Sequence, residues 1–109
     1  MKRSAPPRHR GRSRFPHRRD DLFRAWVRRR ECVVASHGAV VSRCLGATQF
    51  AHVQSRGAGG ADLGNGLPLC AGHHTEQHTI GIHSFHAKYR LDLGAIATDL
   101  AARYLRSAA

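Results

Sequence analysis

The chain has 109 residues, and its 18 Lys and Arg exceed its 7 Asp and Glu by a formal net charge of +11. This length excludes two independent domains, because two cores of half this size would each bury too little surface to fold unaided. The charge favours a polyanionic partner, above all nucleic acid. An aromatic fraction of 6% excludes a large aromatic core, so we expect a metal, a disulfide or a partner to stabilise the domain.

The positive charge is concentrated at the start of the chain. Twelve of the Lys and Arg lie in residues 1–30, whereas residues 31–109 are nearly neutral. Residues 1–19 are rich in Arg, Pro, Gly and Ser, which predicts a disordered basic arm before a folded domain at 20–109. The start lacks the apolar stretch of a secretion signal, and no run is long enough to cross a membrane. We therefore expect a cytoplasmic protein that does not bind membranes.

The first predicted helix begins at Asp20 or Asp21, an acidic pair typical of a helix N-cap. Its apolar side carries Leu22, Phe23, Trp26 and Val27, and its polar side carries Arg24, Arg28 and Arg29. We expect Arg28 and Arg29 to contact nucleic acid. From Glu31 to Val53, β-branched and small residues predict short strands or a hairpin. The glycine-rich residues 55–66 predict a loop.

Three further helices are predicted after Cys70. The first covers the run AGHHTEQHTI and stops at Gly81, and the second covers Ile82 to Tyr89. The last helix extends from about Leu93 to Leu105, where apolar residues recur at helical spacing.

The three cysteines and one histidine predict a structural zinc site. An odd number of cysteines argues against a simple disulfide framework. Cys70 and His73 form a C-x-x-H knuckle, a spacing at which both side chains bind one tetrahedral zinc. Cys32 and Cys44 complete a Cys₃His set that uses every cysteine of the chain. The alternative is three free thiols in the core.

A second pair of histidines predicts another metal site. His74 and His78 are four residues apart on the predicted helix, so both imidazoles project from one face. His73 lies about 100° around the helix from His74, which favours two separate sites back to back. The alternative is a solvated pair on the helix surface.

The series Ala51-His52-Val53, then Asn65, then Leu69-Cys70 and His73-His74 resembles the HNH endonucleases, the ββα-metal or His-Me finger family. Within that family the chain is most similar to small phage and prophage proteins, over about residues 22–105. The resemblance implies an α+β fold in which a small ββα-metal core with a zinc knuckle is flanked by an N-terminal helix and C-terminal helices. It also implies a bacterial host cell.

The resemblance assigns a role to each motif residue. His52 would be the general base that activates water, and Asn65 would hold the loop that orients it. His74 and His78 would bind the catalytic divalent metal, which could be Mg²⁺, Mn²⁺, Ni²⁺ or Zn²⁺. Cys70, His73 and Cys32 would belong to the structural zinc knuckle. Arg56, beside the glycine loop, could grip the scissile phosphate with two hydrogen bonds, or it is a solvated loop charge.

The chain departs from the family pattern at two positions. Ala51 stands where many members have an Asp or His metal ligand, and Asp62 is a candidate replacement or only a turn former. A first C-x-x-C is missing, so Cys44 would reach the zinc through a hairpin, with His37 as the rival ligand. His83 and His86 are interpreted as helix-surface residues.

The sequence therefore predicts a metal-dependent HNH endonuclease that hydrolyses DNA phosphodiester bonds. The alternative is a non-catalytic, zinc-stabilised DNA-binding module, which the basic arm and Ala51 favour. A basic RNA-binding protein would explain the arm but not the spacing of the His and Cys residues.

Overall fold

A computed structural model of the protein describes residues 19–54 and 61–108. The described chain is a small α+β fold with one two-stranded sheet. Its elements, in chain order, are α1 (Asp21–Arg28), α2 (Val33–His37), β1 (Thr48–His52), β2 (Gly66–Cys70), α3 (Ala71–Ile80), α4 (Ile82–Tyr89) and α5 (Leu93–Ala108). The strands are antiparallel, with Thr48 opposite Cys70 and His52 opposite Gly66. Because α3 follows β2 directly, two strands and one helix form a continuous unit.

The first helix begins where the sequence predicts. The Asp20 side chain caps α1 by accepting a 2.9 Å hydrogen bond from Phe23 N–H. Phe23 and Val27 are fully buried, and the Phe23 ring makes edge contacts with Phe50 and Tyr104. These aromatic contacts attach α1 to the sheet and to α5.

The prediction of strands or a hairpin across residues 31–53 is wrong in its first part. Residues Val33–His37 form α2, a short helix that ends at Gly38 in the left-handed conformation with φ of 62°. Val33 and Val34 are both buried, so packing against the core overrides the β preference of branched side chains. Only Thr48–His52 of this region forms a strand.

The second strand is buried along its whole length. Gly66 allows the Phe50 ring of β1 to lie directly over it, because a Cβ at this position would come within 2.1 Å of that ring. The run from Gly66 to Cys70 forms a strand despite Pro68, which is tolerated at the edge of a two-stranded sheet.

The three helices after Cys70 are confirmed. The structure gives Ala71–Ile80 and Ile82–Tyr89, separated by Gly81 at a φ of 90° that glycine adopts without strain. The last helix is three residues longer than predicted and ends at Ala108. Its buried residues, Leu93, Ala97, Leu100 and Ala101, pack towards the sheet and α1.

Two predicted features fall outside the described residues. Residues 1–18 of the predicted basic arm and residues 55–60 of the glycine-rich loop, with Arg56, are not described. Arg19 is described and pairs with Asp21 at 2.7 Å. Among the described residues, no helix combines the length and apolarity needed to span a membrane.

Candidate metal centre and active site

Four side chains that the sequence predicts as zinc ligands meet between α2, β2 and α3. Cys32 is the N-cap residue of α2, and Cys70 ends β2 and is the N-cap residue of α3. His73 lies in the first turn of α3, and Cys44 lies in the irregular segment between α2 and β1. Although these residues are far apart in the sequence, the fold brings all four side chains into one group.

The ligand atoms of this group lie close enough together to surround one metal ion. His73 Nδ1 is 3.1 Å from Cys70 Sγ, 3.6 Å from Cys32 Sγ and 3.9 Å from Cys44 Sγ. All four ligand atoms lie within 4.8 Å of one another. Tetrahedral zinc with bonds of about 2.0 to 2.3 Å separates its ligand atoms by about 3.4 to 3.8 Å. The group could therefore hold a metal ion such as zinc, and its three sulfurs and one imidazole are a common donor set for structural zinc.

The chain that follows Cys44 is held against the start of α3. Gly72 N–H donates to the Leu45 carbonyl at 2.9 Å, and Leu45 N–H donates to Cys70 Sγ at 3.4 Å. These bonds, and not the predicted hairpin, bring Cys44 to the group. The rival ligand His37 lies outside the group and is exposed, with Nδ1 3.2 Å from Ser36 Oγ.

The thiols respond differently to this environment. Cys44 is exposed as a residue, but partial desolvation of its thiol and the two neighbouring thiols raise its pKa to about 12. Burial also acts to raise the pKa of Cys70, but the backbone N–H groups of His73 and Leu45 outweigh it, and the pKa falls below its usual value. Cys70 is therefore ionised more readily than Cys44, and a bound cation would favour the thiolate form of its sulfur ligands.

A chain of polar contacts lies behind His73 on the side away from the sulfurs. His73 Nε2 is 2.8 Å from Ser42 Oγ, which in turn is 3.5 Å from the Tyr89 hydroxyl. Tyr89 donates to Glu76, which also pairs with Lys88. Burial lowers the pKa of His73, which favours the neutral ring. A neutral ring that donates from Nε2 to Ser42 Oγ would turn a bare Nδ1 to the sulfurs.

His74 and His78 face an open cleft on another side of α3. The cleft has a volume of about 750 Å³ and is lined by Arg24, His52, His74, Gln77, His78 and His83, among others. His74 Nδ1 donates to Gln49 Oε1 at 2.8 Å, which turns its other nitrogen to His78, with an Nε2 to Nε2 distance of 3.2 Å.

The convergence of these two nitrogens is compatible with one shared cation. Burial lowers the pKa of His74, and the neighbouring His78 and His52 lower it further, which favours the neutral form that a metal needs. Two nitrogens bound to one divalent ion at about 2.1 Å are roughly 3.0 to 3.4 Å apart. Two protein ligands leave further positions of the ion open to water or phosphate.

His52, the last residue of β1, is held at the same cleft by two other side chains. Its Nε2 lies 2.8 Å from Oδ1 of Asp62, and its carbonyl oxygen accepts a 3.0 Å hydrogen bond from Gln77 Nε2. Asp62 is fully buried. Burial acts to raise the pKa of Asp62, but the bonds from Arg24, Asp20 N–H and His52 lower it to about 2, so the carboxylate is ionised.

Asn65 closes the loop that leaves β1. Its side-chain amide exchanges two hydrogen bonds with the main chain of Gln54, each 2.7 Å long, and its carbonyl oxygen accepts from Val53 N–H at 2.9 Å. These hydrogen bonds join the two ends of the loop beside His52. Asn65 is not among the residues that line the cleft.

Asp62 is the site residue whose partners sequence reasoning missed. The sequence left it as a substitute metal ligand or a turn former. Both of its oxygens are occupied by Arg24, Asp20 and His52, which leaves no position for a metal. An acidic residue inside a glycine-rich loop was the only sequence signal, and it did not reveal the partners on α1.

The remaining candidate residues that the structure describes belong neither to the Cys₃His group nor to the His74 and His78 pair. Arg28, the last residue of α1, and Arg29, its C-cap, are exposed, and Ala51 of β1 is fully buried. His83 lies at the cleft, whereas His86 is exposed on α4. Comparison of the chain with protein-family models, curated proteins and solved structures found no match. The chemistry of these side chains is therefore what supports a function.

Proposed function

We propose that this protein is a metal-dependent HNH endonuclease that hydrolyses DNA phosphodiester bonds. The observation that carries the proposal is one cleft lined by His52 on β1 and by the His74 and His78 pair on α3. A base for water and a cation for the phosphate are the two requirements of phosphodiester hydrolysis. The chain order of two strands and a helix, with a Cys₃His group at the helix start, is compatible with the ββα-metal core and zinc knuckle of that family.

In the proposed reaction, each of the residues at or beside the cleft has one role. His52 accepts a proton from water as the water oxygen forms a bond to phosphorus. The bond from phosphorus to the leaving sugar oxygen breaks, and that oxygen keeps the electron pair and takes a proton from solvent. A divalent ion held by His74 and His78 would stabilise the negative charge on the phosphate and the leaving oxygen. Asn65 keeps the loop after β1 closed, and Gln77 holds the main chain of His52.

The Cys₃His group serves the fold in this proposal. It ties α2, the segment carrying Cys44 and the start of α3 to one point, and α3 carries His74 and His78. DNA is the proposed partner because Arg28 and Arg29 are exposed at the C-terminal end of α1 and Arg24 lies at the cleft.

The test is cleavage of supercoiled plasmid DNA with Mg²⁺, Mn²⁺, Ni²⁺ or Zn²⁺. The proposal predicts metal-dependent cleavage by the wild type and a loss of roughly 10²-fold or more in His52→Ala, the range that a general base contributes. His86→Ala is the matched control, since His86 is an exposed histidine outside the cleft. Equal cleavage by His52→Ala and His86→Ala would refute the assigned mechanism.

A non-catalytic, zinc-stabilised DNA-binding module is the second candidate. Ala51 favours it, because this fully buried position offers no ligand and leaves the His74 and His78 pair with little support for a cation. This candidate predicts salt-sensitive DNA binding and retained zinc, with no cleavage in any of the four metals.

A further inference from the structure

We infer that Asp62 is a positioning residue that fixes the ring of His52 with a proton on Nε2 and a lone pair on Nδ1. This inference rests on the proposed function, because it names the atom of His52 that takes the proton from water. The sequence left Asp62 as a metal ligand or a turn former, and the geometry assigns it a different task. Four hydrogen bonds and the burial of the Asp62 carboxylate support this assignment.

The carboxylate of Asp62 can only accept hydrogen bonds. Oδ1 accepts from His52 Nε2 at 2.8 Å and from an Arg24 terminal nitrogen at 3.1 Å. Oδ2 accepts from Arg24 Nε at 2.7 Å and from Asp20 N–H at 2.6 Å. Arg24 forms a salt bridge with Asp62, whose side chain is completely buried, so the ionised form is stabilised.

The state of His52 follows from that of its partner. An ionised carboxylate has no proton to give, so the 2.8 Å contact requires His52 Nε2 to carry the hydrogen. In the neutral ring the other nitrogen, Nδ1, then holds the lone pair. Nδ1 is therefore the atom that can accept a proton, and Asp62 stabilises the positive ring that results.

Other neighbouring side chains also restrict the orientation of the His52 ring. The Phe50 ring meets it edge-on, with centroids 5.1 Å apart, and the Arg24 guanidinium lies 5.0 Å from the centre of the Phe50 ring. Arg24 therefore contacts both residues that orient His52. Because Arg24 and Asp20 belong to α1 and its cap, this N-terminal helix is part of the support for the base.

The test combines ¹⁵N NMR of the histidine rings with cleavage kinetics on the full chain. The His52 signals are identified by their loss in His52→Ala. In the wild type with zinc bound and no second metal, we expect a protonated Nε2 and a bare Nδ1. An Asn at 62 can donate to Nε2, so Asp62→Asn should shift the proton to Nδ1 and lower kcat by roughly 10²- to 10⁴-fold, with KM for DNA and zinc content unchanged.

Asp99→Asn, which changes an exposed aspartate on α5, is the matched control and should leave both readouts unchanged. A wild-type His52 with its proton on Nδ1 would overturn the inference, and this result needs no folded variant. Wild-type kcat in Asp62→Asn would also overturn it. If the wild type has the expected ring state but cleaves no DNA in any metal, the proposed function fails and the catalytic role of Asp62 fails with it, while the hydrogen bond itself stands.

Discussion

His73 and His74 are adjacent in α3, yet their rings contact two different groups. His73 Nδ1 lies 3.1 Å from Cys70 Sγ, whereas His74 Nε2 lies 3.2 Å from His78 Nε2. The first ring is buried among the thiols, and the second lines the open cleft. Consecutive helical residues differ by about 100° in direction, which is why one doublet can serve two sites.

The Cys₃His group predicts that zinc content depends on Cys44 and not on His37. Cys44→Ser should lose zinc and unfold at a lower temperature, because structural zinc contributes to folding directly in domains of this size. His37→Ala should keep both properties, since His37 is exposed and outside the group. Elemental analysis and thermal melting measure the two effects. Zinc loss in His37→Ala with retention in Cys44→Ser would mean that the fourth ligand is misassigned.

The ion pair of Asp62 predicts a pH-dependent share of stability. Its pKa in the folded protein is lowered from 3.8 to about 2, so its stabilisation is complete above about pH 4 and is lost as the pH falls towards 2. At 1.36 kcal/mol per pKa unit this share is about 2 kcal/mol.

The measurement is urea unfolding of wild type and Asp62→Asn between pH 6 and pH 3, with Asp99→Asn as the control. The difference in the free energy of unfolding should narrow below about pH 4. Acid would also displace zinc from the Cys₃His group, but it would do so in both proteins, so this effect cancels in the difference. A difference that stays constant over this range would contradict the lowered pKa.

The basic arm predicts a change in the salt dependence of DNA binding. Residues 1–19 carry eight Lys and Arg, and each phosphate neutralised on duplex DNA contributes about −0.9 to the slope of log K against log salt. Deletion of residues 1–19 should therefore flatten the slope by as much as about 7 and leave zinc content unchanged. Binding titrations at several salt concentrations measure this. Loss of zinc after this deletion would contradict the proposed boundary of the folded domain.

The helices of the C-terminal half could be predicted because their signals are local. Gly81 separates α3 from α4, and apolar residues in α5 recur at helical spacing. The structure of the region from Glu31 to Val53 was harder to predict. Val33 and Val34 favour strands locally, but contacts with residues distant in the sequence bury them in a short helix. The residue pattern gave no prediction for strand β2, whose Pro68 is uncommon within a strand.

The parts of the candidate site that depend on short-range spacing in the sequence could be predicted. The C-x-x-H knuckle and the His74 and His78 pair are short-range patterns, and the structure brings their atoms together. The bond between His52 and Asp62 joins residues ten positions apart, and the bonds from Asp62 to α1 span 38 and 42 positions. No local pattern marks contacts of this length, so the support of His52 emerged only from the folded chain.

We propose that α3 separates a structural zinc site from a second metal site, and the number of metal ions bound per chain tests this separation. Zinc-loaded protein is dialysed to equilibrium against Ni²⁺, and both elements are then measured in wild type, His74→Ala and His86→Ala. We predict one zinc and one nickel per chain in wild type and in the His86→Ala control, and one zinc without nickel in His74→Ala. Nickel binding that survives His74→Ala, or zinc that is lost with it, would contradict two separate sites.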